Sequence, residues 1–357
     1  MAKAETAIIS GLTTLTSTTE TTAAAPELVC PAGSLPALKA AVDNGADCVY
    51  LGLRDATNAR NFAGLNFDEA AIASGVRYAH ERGRKVFMAL NTYPRALRAG
   101  EWRAGLDKAV QLGIDAVILA DPGLMQYAAK QHPQLRLHLS VQGSATNYEA
   151  INFYREQFGV VRAVLPRVLS LEQVRQLMEK TPVDVEVFGF GSLCVMVEGR
   201  CALSAYVTGE APNTHGVCSP PKAVRWQETP TGRESRLNGV LIDRYAPDEK
   251  AGYPTLCKGR FDVGEDEGYY AIEEPTSLNT LEILPQLVKM GVRAIKIEGR
   301  QRSPAYVAQV TQVWRAAIDH CAANAHRYSP KTEWMAQLDQ VAEGQQHTLG
   351  AYYRPWK

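Results

Sequence analysis

Four cysteines, Cys194, Cys201, Cys218 and Cys257, fall in one glycine-rich stretch of a chain whose other three thiols are scattered. The first two sit in EVFGFGSLCVMVEGRCALS, the third in NTHGVCSPPK and the fourth in YPTLCKGRFD. Thiolates are soft donors, and four that converge suit either a tetrahedral zinc ion or an iron–sulfur cluster. The intervals match neither common zinc hairpins nor ferredoxin runs, so spacing leaves the metal open. Gly199, Gly216 and Gly259 lie beside them and would let backbone amides approach the sulfurs. A structural zinc clip or a set of buried thiols is the bland alternative. Cys48 and Cys321 lie on apolar faces and read as packing. Cys30 ends the first expected strand and reads as packing or as a thiol facing a barrel mouth.

The run KIEGRQRS holds the second set of chemical groups. Lys296 and Glu298 alternate with Ile295 and Ile297, which turns both charges to one face of a strand. Inside a closed barrel they must pair or contact a ligand, because an unpaired buried charge is costly. Arg300 and Arg302 follow, where planar guanidinium forks could hold a carboxylate; a structural salt-bridge network is the competing reading. Glu186 could be a general acid/base or the partner of a barrel arginine such as Arg167. Asn91, Tyr93, Ser140, Gln142 and Asn147 end other strands, where uncharged hydrogen-bonders commonly line pockets. His138 is isolated. His215, three residues before Cys218, reads as a solvent-facing loop residue or a contact behind the metal site.

These residues need a scaffold, and the pattern from Glu27 supplies one. Apolar strands such as ELVCP, DCVYLGL, KVFMAL and DAVILA alternate with amphipathic helices such as LPALKAAVDNGA and EWRAGLDKAVQLG. About eight such units favour a TIM-barrel-like (β/α) barrel, with an open doubly wound sheet as the alternative. No G-x-G-x-x-G follows the first strand, which weakens a dinucleotide site. Residues 195–274 break the rhythm and read as an insertion after the seventh strand, with strands expected at AVRWQE and LNGVLIDRY. The expected division is a disordered Thr/Ala-rich leader at 1–26, a barrel domain at 27–330 and a C-terminal tail at 331–357.

The chain has 357 residues, 46% hydrophobic and 21% charged, with Lys+Arg and Asp+Glu equal at 38 each. That balance gives no global field toward nucleic acid or an anionic membrane. Lacking a recognisable export signal or a membrane-spanning stretch, the sequence reads as cytoplasmic, where its thiols stay reduced.

The segment EVFGFGSLCVMVEGRCALS resembles the signature of the collagenase-like peptidase family: E-x-F, then G-S-L-C, then G-x-C-x-L-S. Glu186, Phe188, Gly191, Ser192, Leu193, Cys194, Gly199, Cys201, Leu203 and Ser204 fill that pattern. ELVCPAGSLPALKAAVDNGADCVYLG is similar to the family's N-terminal half. The ladder from Cys194 to Cys257 most resembles that of the family member acting in oxygen-independent ubiquinone biosynthesis. The resemblance implies a [4Fe–4S] cluster on Cys194, Cys201, Cys218 and Cys257, the insertion then being iron–sulfur-binding. It also implies a heterodimer with a UbiV-like protein, help from a UbiT-like lipid-binding accessory protein, and hydroxylation of the aromatic ring of a ubiquinone precursor. By analogy with RNA-modifying relatives, prephenate is the implied oxygen donor. Lys296, Glu298 and Glu186 are then the expected catalytic groups, and Arg300, Arg302, Arg167, Asn91 and Gln142 the expected substrate contacts. An RNA-base hydroxylase and a non-catalytic iron–sulfur scaffold or redox sensor are the other readings. Peptidase activity finds little support: there is no G-x-S-x-G, no H-E-x-x-H and no clear Cys–His or Ser–His pairing.

Overall fold

The computed structural model of the protein describes residues 24–197 and 200–354. Residues 1–23 of the expected leader lie outside them. Seven strands come first, β1 (Glu27–Pro31), β2 (Cys48–Leu51), β3 (Lys85–Leu90), β4 (Ala116–Leu119), β5 (Arg136–Leu139), β6 (Val160–Val164) and β7 (Asp184–Ser192). Helices α1 (Leu35–Asp43), α2 (Glu69–His80), α3 (Ala99–Gln111), α4 (Pro122–Gln131), α5 (Tyr148–Phe158) and α6 (Leu171–Met178) alternate with them. The turns into α1, α2, α4, α5 and α6 end in Ser34, Asp68, Asp121, Asn147 and Ser170. Each of these side chains accepts a first-turn amide hydrogen bond, satisfying a donor that the helix itself leaves unpaired.

After β7 the chain forms two short helices, α7 (Ala202–Thr208) and α8 (Pro212–His215). A three-stranded antiparallel sheet follows, β8 (Val224–Thr229), β9 (Gly232–Leu237) and β10 (Val240–Tyr245), then a hairpin of β11 (Arg260–Val263) and β12 (Asp266–Tyr270). LNGVLIDRY is therefore not one strand. Asn238 and Gly239 both take positive φ, 46° and 86°, and turn the chain between β9 and β10, as Asn-Gly does in tight hairpins. Strand β13 (Ser277–Asn279) runs antiparallel along the end of β7, and α9 (Leu284–Met290) leads into β14 (Ala294–Ile297). Strand β14 is parallel to both β1 and β7, which closes an eight-stranded parallel barrel. Helix α10 (Pro304–Ala323) covers β1 and α1, and α11 (Thr332–Asp339) packs on α10. The segment after 330 is thus folded against the barrel, with Trp334, Leu338 and Tyr352 in its main core.

That core lies between strands and helices. Leu28, Leu51, Met88, Leu119 and Trp314 are all fully buried there. A smaller cluster of Val29, Tyr50, Phe87, Ile118 and others fills the barrel interior. Among the described residues no helix is long and apolar enough to cross a membrane.

Candidate active site and thiol cavity

Alternation along β14 puts Lys296 inside the barrel, in register with Val29 of β1 and Phe188 of β7. Its Nζ donates to Glu186 Oε1 at 2.5 Å and lies 4.0 Å from the centre of the Tyr50 ring. Glu186, 0% exposed, is shared with Arg162, 3.5 Å from its other oxygen. Arg162 in turn donates to Glu27 at 2.5 Å, and Glu27 accepts from the exposed Lys85 at 2.8 Å. A line of alternating charges thus runs from the barrel floor to Lys296. Burial pulls the Lys296 ammonium below its usual range, although Glu186 opposes that shift. Burial raises the Glu27 carboxyl, but bonds from Lys85 and Arg162 leave it net below its usual range.

Two expectations about pairing change here. Glu186 pairs with Arg162 and Lys296, not with Arg167. Arg167 lies beyond the end of β6, so its guanidinium stays at the mouth, donating to the Ser192 carbonyl at 2.6 Å over the Phe188 ring. Lys296 and Glu298 do not pair with each other, because Glu298 follows the end of β14 and sits higher. Its carboxylate accepts the Ser192 amide at 3.4 Å. Gly191 makes this approach possible: its φ is 125°, and a Cβ there would stand 2.6 Å from the Glu298 Cβ.

Above Lys296 is a cavity of about 70 Å³, walled in part by Tyr50, Phe188, Asn91, Gln142, Glu298 and Arg300. Arg300 is buried, is held by Asn58 Oδ1 at 2.7 Å, and is brought down to about 10 by desolvation. Asn91 accepts the Ala59 amide at 3.1 Å. Ser140 accepts from the Gln142 amide at 3.2 Å. The Gln142 side-chain oxygen is buried without a partner among the described residues. Two expected pocket residues serve elsewhere. Asn147 caps α5, and Tyr93 donates to the Gln142 carbonyl at 2.7 Å.

A second cavity, of about 450 Å³, is lined by all four of Cys194, Cys201, Cys218 and Cys257. Arg60, Arg167 and Glu298 line both cavities, so the thiols stand directly over the barrel mouth. Cys201 caps α7, its sulfur accepting the Ser204 amide at 3.2 Å. Gly216, at φ 92°, lets the loop before Cys218 press on Phe62, 3.1 Å from where a Cβ would be. No disulfide joins the thiols. Burial pushes Cys257 up to about 12, and Cys201 and Cys218 upward as well. Among the described residues no three His, Cys, Asp or Glu side chains converge as they would on a single metal ion. Buried Lys258, next to Cys257, is tied to Glu343 and to the Thr276 carbonyl. Arg302 is exposed on the rim, donating to the Val341 carbonyl at 2.7 Å. His215 is exposed at the end of α8.

Cys30 does not face the mouth. It points outward to α10, where it accepts from Thr311 Oγ1 at 3.2 Å, because its neighbour Val29 takes the inward position. Cys48 and Cys321 are buried packing residues. The sequence reading missed Arg60, Arg162 and the setting of His138. Arg162 had a signal, a lone cation inside the apolar run VVRAVL. His138 also lies inside the barrel, its ring 4.8 Å from Phe87. Both its nitrogens lack partners among the described residues, and burial holds its pKa well below the usual value. Arg60 sits in an irregular loop with no periodic signal.

The model of Peptidase family U32 matches residues 33–355. The tRNA hydroxylation protein P of Escherichia coli is 34% identical over 319 residues, covering 84% of this chain and 69% of its own. The tRNA hydroxylation protein P1 of Bacillus subtilis is 31% identical, covering 89% of this chain and 68% of its own. An uncharacterized protease of Methanocaldococcus jannaschii is 33% identical, covering 92% of this chain and 73% of its own.

Proposed function

The chain belongs to Peptidase family U32, and we propose that it is the iron–sulfur component of an oxygen-independent hydroxylase acting on the aromatic ring of ubiquinone precursors, the role of UbiU. One observation carries the hydroxylase reading. Four thiols surround a cavity that shares Arg60, Arg167 and Glu298 with a barrel mouth floored by a buried Lys–Glu pair. The names of the relatives from Escherichia coli and Bacillus subtilis support hydroxylation as the reaction type. The quinone substrate rests on the resemblance of the signature and of the four-cysteine ladder to UbiU. From the same resemblance come a UbiV-like partner in a heterodimer, a UbiT-like lipid-binding accessory protein and prephenate as oxygen donor.

The donor set fits a [4Fe–4S] cluster on Cys194, Cys201, Cys218 and Cys257. All four thiols line one cavity, and soft sulfur donors suit iron–sulfur chemistry. Buried thiols become thiolates only beside strong positive charge, which bound iron provides. A cluster ligated by four cysteines supplies one-electron transfer. The protein's own groups supply the rest. Arg300 and Arg60 offer guanidinium donors to an anionic ligand. Tyr50 and Phe188 form apolar walls that exclude water. Lys296 and Glu186 hold a proton at Nζ that can move toward a ligand seated above.

A second reading is hydroxylation of an RNA base, favoured by the names of the tRNA hydroxylation relatives. Equal numbers of acidic and basic residues, 38 each, weigh against a large RNA footprint. A strain lacking the gene decides between them when grown without oxygen and assayed for both ubiquinone and hydroxylated tRNA nucleosides. The wild-type gene should restore ubiquinone and Cys194→Ala should not. Restored nucleosides without ubiquinone would transfer the assignment to RNA.

A further inference from the structure

Lys296 differs from a structural ion-pair lysine in what surrounds it. Its amine is on the wall of the 70 Å³ cavity, whereas Glu186 lies behind it, off that wall. The cavity also holds more cation than its own carboxylates neutralise. Arg300 bonds an amide oxygen, and Arg60 has no carboxylate partner among the described residues. An amine and the three guanidiniums of Arg60, Arg167 and Arg300, set against the single carboxylate of Glu298 between aromatic walls, match a small molecule bearing a carbonyl and a carboxylate.

We propose that Lys296 forms an imine with an aromatic α-keto acid whose carbonyl end enters this cavity, its carboxylate held by Arg60 and Arg300 and its ring reaching into the larger cavity that Arg60 also lines. The proposal deepens the reading of the mouth as the substrate site and rests on it; it does not depend on a metal at the thiols. Amines in desolvated barrel sites are the usual imine-forming nucleophiles. Glu186 takes a proton from the Lys296 ammonium, and the freed nitrogen attacks the carbonyl carbon. The carbonyl oxygen leaves as water, carrying away two of the three ammonium hydrogens. The product is a protonated imine, so no net proton and no electron is exchanged. Glu186 and Arg162 stay behind as the counter-charges of the iminium.

The test uses anaerobically purified full-length protein incubated with phenylpyruvate and sodium cyanoborohydride, followed by intact mass and peptide mapping. One adduct per chain is expected, on the peptide containing Lys296. Lys296→Arg keeps the charge facing Glu186 and should remain folded by thermal melting, yet gain no adduct at that peptide. Arg60→Gln should slow labelling about tenfold, the size of one lost charge-assisted hydrogen bond. No adduct in folded wild-type protein, or equal labelling of Lys296→Arg, overturns the proposal. Absence of the adduct in a protein that still restores ubiquinone overturns the imine alone. Adduct formation in a protein that restores no product upholds the imine and overturns the hydroxylase reading instead.

Discussion

On the outer side of the strands, Leu28, Leu51, Met88 and Leu119 meet the covering helices in one continuous apolar layer. On the inner side of the same strands, Arg162, Glu186, Lys296 and His138 are buried where barrels usually stack Val, Ile and Leu. Both sides exclude water, but only the outer one gains stability simply by doing so. Inside, each charge must be compensated by a neighbour, and replacing such a network by apolar residues is often neutral or stabilising. In the proposed site that charge serves the ligand above Lys296 rather than cohesion. The outer layer holds the barrel together, and the inner one sets charged and polar groups at its axis.

Removing a charge from the inner network should have the largest effect. Glu186→Ala strands Lys296 and Arg162 without their shared carboxylate and should cost about 3–5 kcal/mol in denaturant unfolding. The double variant Glu186→Leu with Lys296→Met should recover most of that stability while the anaerobic product stays lost. If the double variant were as unstable as the single one, the contrast between the layers would fail.

In the outer layer, Leu106→Ala on α3 should cost about 2–5 kcal/mol, from lost burial plus the cavity left behind. Unlike a change to the inner network, it should not alter how stability depends on pH. His138 gives that dependence a sign. Its folded-state pKa lies below the unfolded value, so the unfolded chain takes up the proton first. Its contribution is therefore complete above about pH 6.5 and is lost as pH falls toward the folded value, by about 1.4 kcal/mol per pH unit. Chemical unfolding between pH 5 and pH 8, on the order of the range His titrates in, should show this slope, and His138→Leu should reduce it. At the surface, Arg175 of α6 pairs with Glu172 and Glu179 in the open. Arg175→Ala should leave the unfolding midpoint nearly unchanged, and the difference should shrink further at high salt.

The same contrast explains how far the sequence could be read. Apolar periodicity made the strands, the helices and the barrel legible, because the outer layer is what creates that periodicity. The inward facing of Lys296 followed from its alternation with Ile295 and Ile297. Its partner did not. Glu186 and Lys296 are 110 positions apart and meet only once β14 closes the barrel against β7. Cys30 shows the limit from another side. A strand's two faces differ by one residue in register, and β1 is apolar on both, so only pairing with β14 turns Val29 inward and Cys30 outward. Arg60 lies in a loop held by Asn58 and Asn66 side chains, which carries no repeating pattern. The four cysteines stood out by type and clustering alone. That they share one cavity over the mouth depended on how α7, α8 and the loop at Cys257 fold back over it.

The proposed role of Cys194, Cys201, Cys218 and Cys257 is to hold a redox cluster above the barrel mouth. Iron and acid-labile sulfide analysis of anaerobically purified protein, with an absorption spectrum before and after reduction, tests it most directly. A cluster on these thiols should give about four irons and four sulfides per chain, absorption that bleaches on reduction, and loss of all three signals in Cys194→Ala. Stoichiometric zinc without sulfide, or a folded protein with neither metal, would contradict it.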